Sequence, residues 1–159
     1  LVRPTSGGQL VFAGLLLCLL VVLWLRAADL IYALFFGMLP FPGFDRILAQ
    51  LLTTPRGWAL ILTGSAIGGL FAAFAMAISL FSIPMLLERR VDALTALGTS
   101  FAITTQNLRA VLPWGAIVTL GFALSAATGL LGLIVIFPLL GHGTWHAWVA
   151  LRPEGVQGQ

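Results

Sequence analysis

Apolar positions along this chain come in long runs and do not alternate with polar ones. Between Gln9 and Leu39 the only charges are Arg26 and Asp29, and none occur from Gly57 to Leu87. From Ala110 to Leu151 there is again no Asp, Glu, Lys or Arg. A bilayer's hydrocarbon needs about 20 apolar residues in a helix to cross it, so runs of this length predict transmembrane helices. The first two runs predict spans at about 9–37 and 57–87. The third is 42 residues long and can cross twice if it turns near Ser125 to Gly129. That predicts spans at about 110–126 and 129–151, joined as an antiparallel hairpin.

Two shorter segments carry a different period. Phe44, Ile47, Leu48, Leu51 and Leu52 recur at helical spacing, with Asp45, Arg46 and Gln50 on the other side. Pro40, Pro42 and Gly43 precede this stripe, and Pro55 with Gly57 follows it. An amphipathic helix at about 44–53, lying in the membrane interface or packed on the bundle as a cap, is the reading. The second segment, about 92–109, begins at Asp92, a candidate N-cap. Leu94, Leu97, Phe101 and Leu108 form one stripe there, and Thr95, Thr99, Thr104, Asn107 and Arg109 another. The polar stripe is poor in charge, so this helix is expected to pack on other helices and not on lipid headgroups.

Composition strengthens the membrane reading: 60% of the 159 residues are hydrophobic and 8% charged, with a mean hydropathy of +1.07. The expected fold is all-α, a polytopic transmembrane helix bundle of about four spans plus two amphipathic interfacial helices, in one membrane domain over residues 1–159. The net charge of +3 comes from eight Arg, no Lys and five acids, set at the ends of the apolar runs. Nucleic acid is not an expected partner, because the basic residues neither cluster nor interleave with aromatics. With four spans, Arg3, Arg89, Arg90, Arg109 and Arg152 fall on one side and Arg46 and Arg56 on the other. That bias puts both termini in the cytoplasm of a bacterial inner membrane. Cys18 lies inside an apolar run, and the chain starts at Leu1, consistent with a piece of a longer polypeptide.

Candidate functional residues are few. Gly64, Gly68 and Ala72 run beside Ser65, Gly69, Ala73 and Ala77 at four-residue spacing, which makes a smooth helix face suited to close packing. Arg26 and Asp29 can pair across one turn inside the first span, either snorkelling to an interface or forming an intramembrane pair. His142 and His146 are four apart in Gly-His-Gly-Thr-Trp-His-Ala-Trp and could chelate one metal ion. Gly143 stands where a zinc protease helix needs its general-base Glu, so that activity is unsupported. With Trp145, Trp148 and Arg152 nearby, an aromatic belt at the membrane edge explains the same residues. Pro84 should kink or end the second span. No nucleophile elbow, phosphate-binding loop or dinucleotide fingerprint is present, so no enzyme activity and no cofactor are expected.

Three stretches carry a resemblance: Ser6-Gly7-Gly8-Gln9-Leu10; Phe81-Ser82-Ile83-Pro84 through Arg90-Val91-Asp92-Ala93-Leu94-Thr95-Ala96; and Leu140-Gly141-His142-Gly143-Thr144-Trp145-His146. Over essentially the whole chain the sequence resembles an uncharacterised bacterial family of polytopic membrane proteins, catalogued as a domain of unknown function. Some members carry a provisional label as cytochrome c oxidase subunits. The resemblance implies the carboxy-terminal part of a protein of roughly six spans. A catalytic oxidase subunit needs His ligands on several helices, which one pair cannot supply. The expectation is a non-enzymatic accessory or structural subunit of a larger, respiratory-type membrane complex, with lipid and other membrane subunits as partners. The alternatives are a small-solute transporter or channel, and a metal- or haem-binding protein through the His pair.

Overall fold

The computed structural model describes residues 7–37 and 43–151. Among these residues seven helices follow in order: α1 (Gly7–Phe36), α2 (Phe44–Thr53), α3 (Pro55–Ser79), α4 (Ser82–Glu88), α5 (Ala93–Gln106), α6 (Leu108–Ala127) and α7 (Leu133–Leu151). Of the described residues 89% are helical and none form a strand, so the fold is all-α. Arg3 and Arg152 of the arginine count, and Pro40 and Pro42 before α2, lie outside the described residues.

Three stretches among the described residues are long and apolar enough to cross a membrane: α1, the continuous run Pro55–Glu88 through α3 and α4, and α6. At 30 residues α1 is about 45 Å long, half as long again as the hydrocarbon it would cross. The fourth expected span falls on α7, whose apolar part, Leu133–Ala147, is shorter. Large side chains such as Leu34, Leu70 and Phe137 are more than 70% exposed. In lipid this is their solvent, since hydrocarbon tails are as apolar as leucine.

The described residues form two compact units, one of 15–37 with 43–75 and one of 7–14 with 76–151. In the first, α2 turns into α3 at a tight corner. Thr54 ends α2, and its hydroxyl then accepts the Gly57 N–H at 3.0 Å, capping α3 just before Pro55 at the first helical position. Gly57 is required because a Cβ there would run into the backbone of Gln50 and Leu51. The Trp58 indole closes the corner by donating to the Leu52 carbonyl at 3.1 Å.

The second unit holds the main core. Phe81, Met85 and Leu86 pack with Ala93, Ala96 and Ile103 of α5, and Ala13 and Val111 join them. Gln9 at the start of α1 accepts the Ala93 N–H at 2.9 Å, while Asp92 accepts the Thr95 N–H at 2.9 Å, so α5 begins with two of its free N–H groups satisfied. The packed face of α5 differs from the apolar stripe the sequence suggested. Ala93, Ala96, Leu97, Ser100, Ile103 and Thr104 are buried, whereas Leu94, Phe101 and Leu108 are exposed. The reason is the solvent: lipid imposes no cost on large apolar side chains, so small residues and hydroxyls go inside, where backbones approach.

Helices α6 and α7 form the expected antiparallel hairpin, turning through Gly129 (φ 64°) and Leu130 (φ 70°). Leu130 adopts a left-handed conformation that side chains other than Gly rarely take, and its N–H donates to the Ser125 carbonyl at 2.7 Å. Three glycine seats set the register: Gly132 against Ser125, Gly121 against Ile136, and Gly143 under the Trp114 ring. Each pair is centred on the same point between Thr128 and Gly129.

Candidate functional site

The most specific geometry in the chain is the break between α3 and α4. Pro84 has no N–H to give the Leu80 carbonyl, and its ring crowds that carbonyl, so a regular helix cannot run through this turn. The helix stops at Ser79 and restarts at Ser82. Breaking it parts the Ala77 carbonyl from the Phe81 N–H, which would be bonded in an unbroken helix. The Ser100 hydroxyl sits between them. It accepts the Phe81 N–H at 3.0 Å and donates to the Ala77 carbonyl at 2.8 Å. Thr104 donates to the same carbonyl at 3.3 Å, and Ser82 donates to the Ser79 carbonyl at 3.3 Å. Phe81, Ser82 and Ser100 are fully buried and Thr104 nearly so. Inside a membrane these backbone groups have no water to turn to, so hydroxyls from a neighbouring helix are the available remedy.

Besides this clasp, the end of α4, the two ends of α5 and the start of α6 carry charged and polar residues. Glu88 and Arg90 are exposed and Arg89 is half-buried, with its Nε and Nη2 atoms shut off from solvent. Asp92 is exposed, and the Thr95 backbone N–H holds its carboxyl below the ordinary carboxylate range. Of the polar stripe on α5, Thr95 and Thr99 look outward or lie at the edge of the packing, while Thr104 belongs to the clasp. Asn107 donates through Nδ2 to the Ile103 carbonyl at 2.8 Å, and Arg109 is exposed.

The small-residue rows on α3 are divided. A Cβ on Gly68 would meet the Trp24 indole at 3.3 Å, so Gly68 is a seat for α1 within its own unit. Gly64 and Gly69 have nothing within 4 Å, and Ser65, Ala72 and Ala73 are exposed. Arg26 Nη1 lies 3.3 Å from Asp29 Oδ2, with both side chains more than 70% exposed. Such a pair, out on the helix surface, contributes little by itself in water, and its position along α1 is what gives it meaning in a membrane.

His142 and His146 both sit on the exposed face of α7. The His142 Nδ1 bonds the Pro138 carbonyl at 2.9 Å, which leaves Nε2 as the outward-facing nitrogen. Among the described residues no group of three or more His, Cys, Asp or Glu could hold a metal ion, so the pair would be two ligands at most. The Trp148 side chain lies outside the described residues. Sequence reading passed over Ser100 and the seats at Gly121, Gly132 and Gly143. The signal for Ser100 was present but indirect, a hydroxyl on the small-residue face of the helix after a proline-broken span.

Comparison with known proteins adds a family. The family model described as predicted integral membrane protein (DUF2189) matches residues 1–88, more than half of the chain. Residues 1–88 include α1 through α4, Pro84 and the break. No curated protein and no solved structure matches the chain.

Proposed function

Since the chain belongs to that integral membrane protein family, we propose that it is a non-enzymatic accessory subunit of a larger complex in the bacterial inner membrane, with both ends of this chain cytoplasmic. A respiratory complex is the first to test. The observation that carries the reading is the α3 face at Gly64, Ser65, Gly69, Ala72 and Ala73, which has room for another backbone and none filling it beside the two glycines. In lipid, a face of this kind associates through close van der Waals contact with a second helix. The partner is a transmembrane helix of another subunit.

Transport through the break at Pro84 is less well supported. The groups that a solute pathway would use there, Ser100 and Thr104, are buried and bonded to the α3 backbone, and Thr99 and Thr105 donate to carbonyls of their own helix. Affinity purification of the full chain in mild detergent tests the reading. The wild type should bring down a defined membrane subunit, and a Gly64→Leu, Gly69→Leu double variant should lose it while keeping its helical circular dichroism. A wild-type chain that emerges monomeric and alone, or a double variant that retains the subunit, defeats it.

A further inference from the structure

The hydroxyls of α5 follow two habits. Thr99 donates to the Thr95 carbonyl at 2.7 Å and Thr105 to the Phe101 carbonyl at 2.9 Å, each one turn back on its own helix. Ser100 and Thr104 instead reach across to Ala77 and Phe81. Both habits are open to a helical Ser or Thr, whose side chain can always fall back on the carbonyl four residues earlier.

We propose that the joint between α3 and α4 is a two-position hinge latched by Ser100. In the latched position the Ser100 hydroxyl bridges the Ala77 carbonyl and the Phe81 N–H, as in this structure. In the released position those two groups bond to each other, Ser100 donates to the Ala96 carbonyl and Thr104 to the Ser100 carbonyl. The hydrogen bonds balance: three bridging bonds are exchanged for one backbone bond and two bonds within α5. In hydrocarbon this balance matters more than area, because uncovering Phe81 and Leu86 to lipid loses packing but meets no hydrophobic penalty. Pro84 withholds its bond from Leu80 in both positions, so the turn stays weak and bends without unfolding. Release joins α3 and α4 across Leu80 and Phe81 into one proline-kinked helix and swings the Glu88-Arg89-Arg90 end, while Gln9 and Asp92 hold the start of α5.

Pulsed electron spin resonance on the full chain in nanodiscs reads the hinge, with nitroxides at Leu70 and Leu87, both exposed. A straight helix would separate these positions by roughly 26 Å along its axis, and any bend between them shortens the distance. Ser100→Ala removes the bridge and should raise the population of the longer distance by about tenfold, near the worth of one buried hydrogen bond. Ser100→Thr keeps a hydroxyl and should stay with the wild type. Pro84→Ala, with Ser100 intact, should also favour the longer distance and serves if Ser100→Ala does not fold. A Ser100→Ala distribution that overlays the wild type, with only a lower melting temperature, makes Ser100 a plain structural bond and overturns the hinge. An unchanged distribution in Pro84→Ala overturns it equally.

Discussion

The contact between α4 and α5 and the open face of α3 are made of the same residue types and have opposite fates. Ala93, Ala96, Ser100 and Thr104 are buried against the broken helix, whereas Ser65, Ala72 and Ala73 are exposed and a Cβ on Gly64 or Gly69 would meet nothing within 4 Å. Small residues allow close approach in both places. What fills one of them is the polar demand of the break before Pro84, where the Ser100 hydroxyl joins the Phe81 N–H and the Ala77 carbonyl. In lipid, permission to approach and a reason to approach are separate properties, and a filled contact needs both.

The strongest way to break that contrast is to place the same side chain in a filled seat and in an open one. Gly143→Leu drives a side chain into the Trp114 ring and should lower stability by about 3 kcal/mol in reversible unfolding from detergent. Gly69→Leu meets no atom and should stay within about 0.5 kcal/mol in the isolated chain, while abolishing retention of the partner subunit. If the two substitutions cost the same, the open face is not open.

Next in size is the clasp itself. Ser100→Ala leaves a buried N–H without its hydroxyl and should cost about 1–3 kcal/mol in the same measurement. Thr104→Val removes only the longer bond to a carbonyl that keeps Ser100, and should cost less than about 1 kcal/mol. Equal losses for the two would mean that the Ala77 carbonyl, and not the Phe81 N–H, is the group the clasp serves.

Much of this fold could be read from the residues. Run lengths gave the long helices, Asp92 gave the start of α5, and Pro84 gave the break, because each depends on local chemistry. The α6–α7 hairpin was legible too, since 42 uncharged residues can cross twice only by turning back on themselves. The buried face of α5 was not legible. Its apolar period points at Leu94, Leu97, Phe101 and Leu108, of which Leu97 is buried and the other three are exposed, and reading the whole stripe as the core assumes water outside. The glycine seats escaped for another reason: Gly121, Gly132 and Gly143 acquire meaning only when the turn at Gly129 and Leu130 fixes what they face. The α3 rows show the converse, since an evenly spaced stripe contains one seat, Gly68 against Trp24, and several vacancies that spacing alone cannot tell apart.

The smallest effect is expected from acid, and it separates the two regions without changing a packing residue. The Thr95 backbone N–H holds the Asp92 carboxyl below its ordinary value, so the folded chain binds this proton less readily than the unfolded one. Stability from the ionised group is therefore present above the unfolded value and is lost as pH falls through the folded one, a window that opens below about pH 4. Melting temperature followed from pH 6 downward should dip for the wild type relative to Asp92→Asn, which can still cap α5 but carries no charge to lose. The α3 face from Gly64 to Ala73 holds no titratable side chain, so partner retention through that face should not follow the same curve. A parallel loss of both would mean that the start of α5 and the α3 face belong to one cooperative element, and that the contrast between filled and open contacts is one of degree.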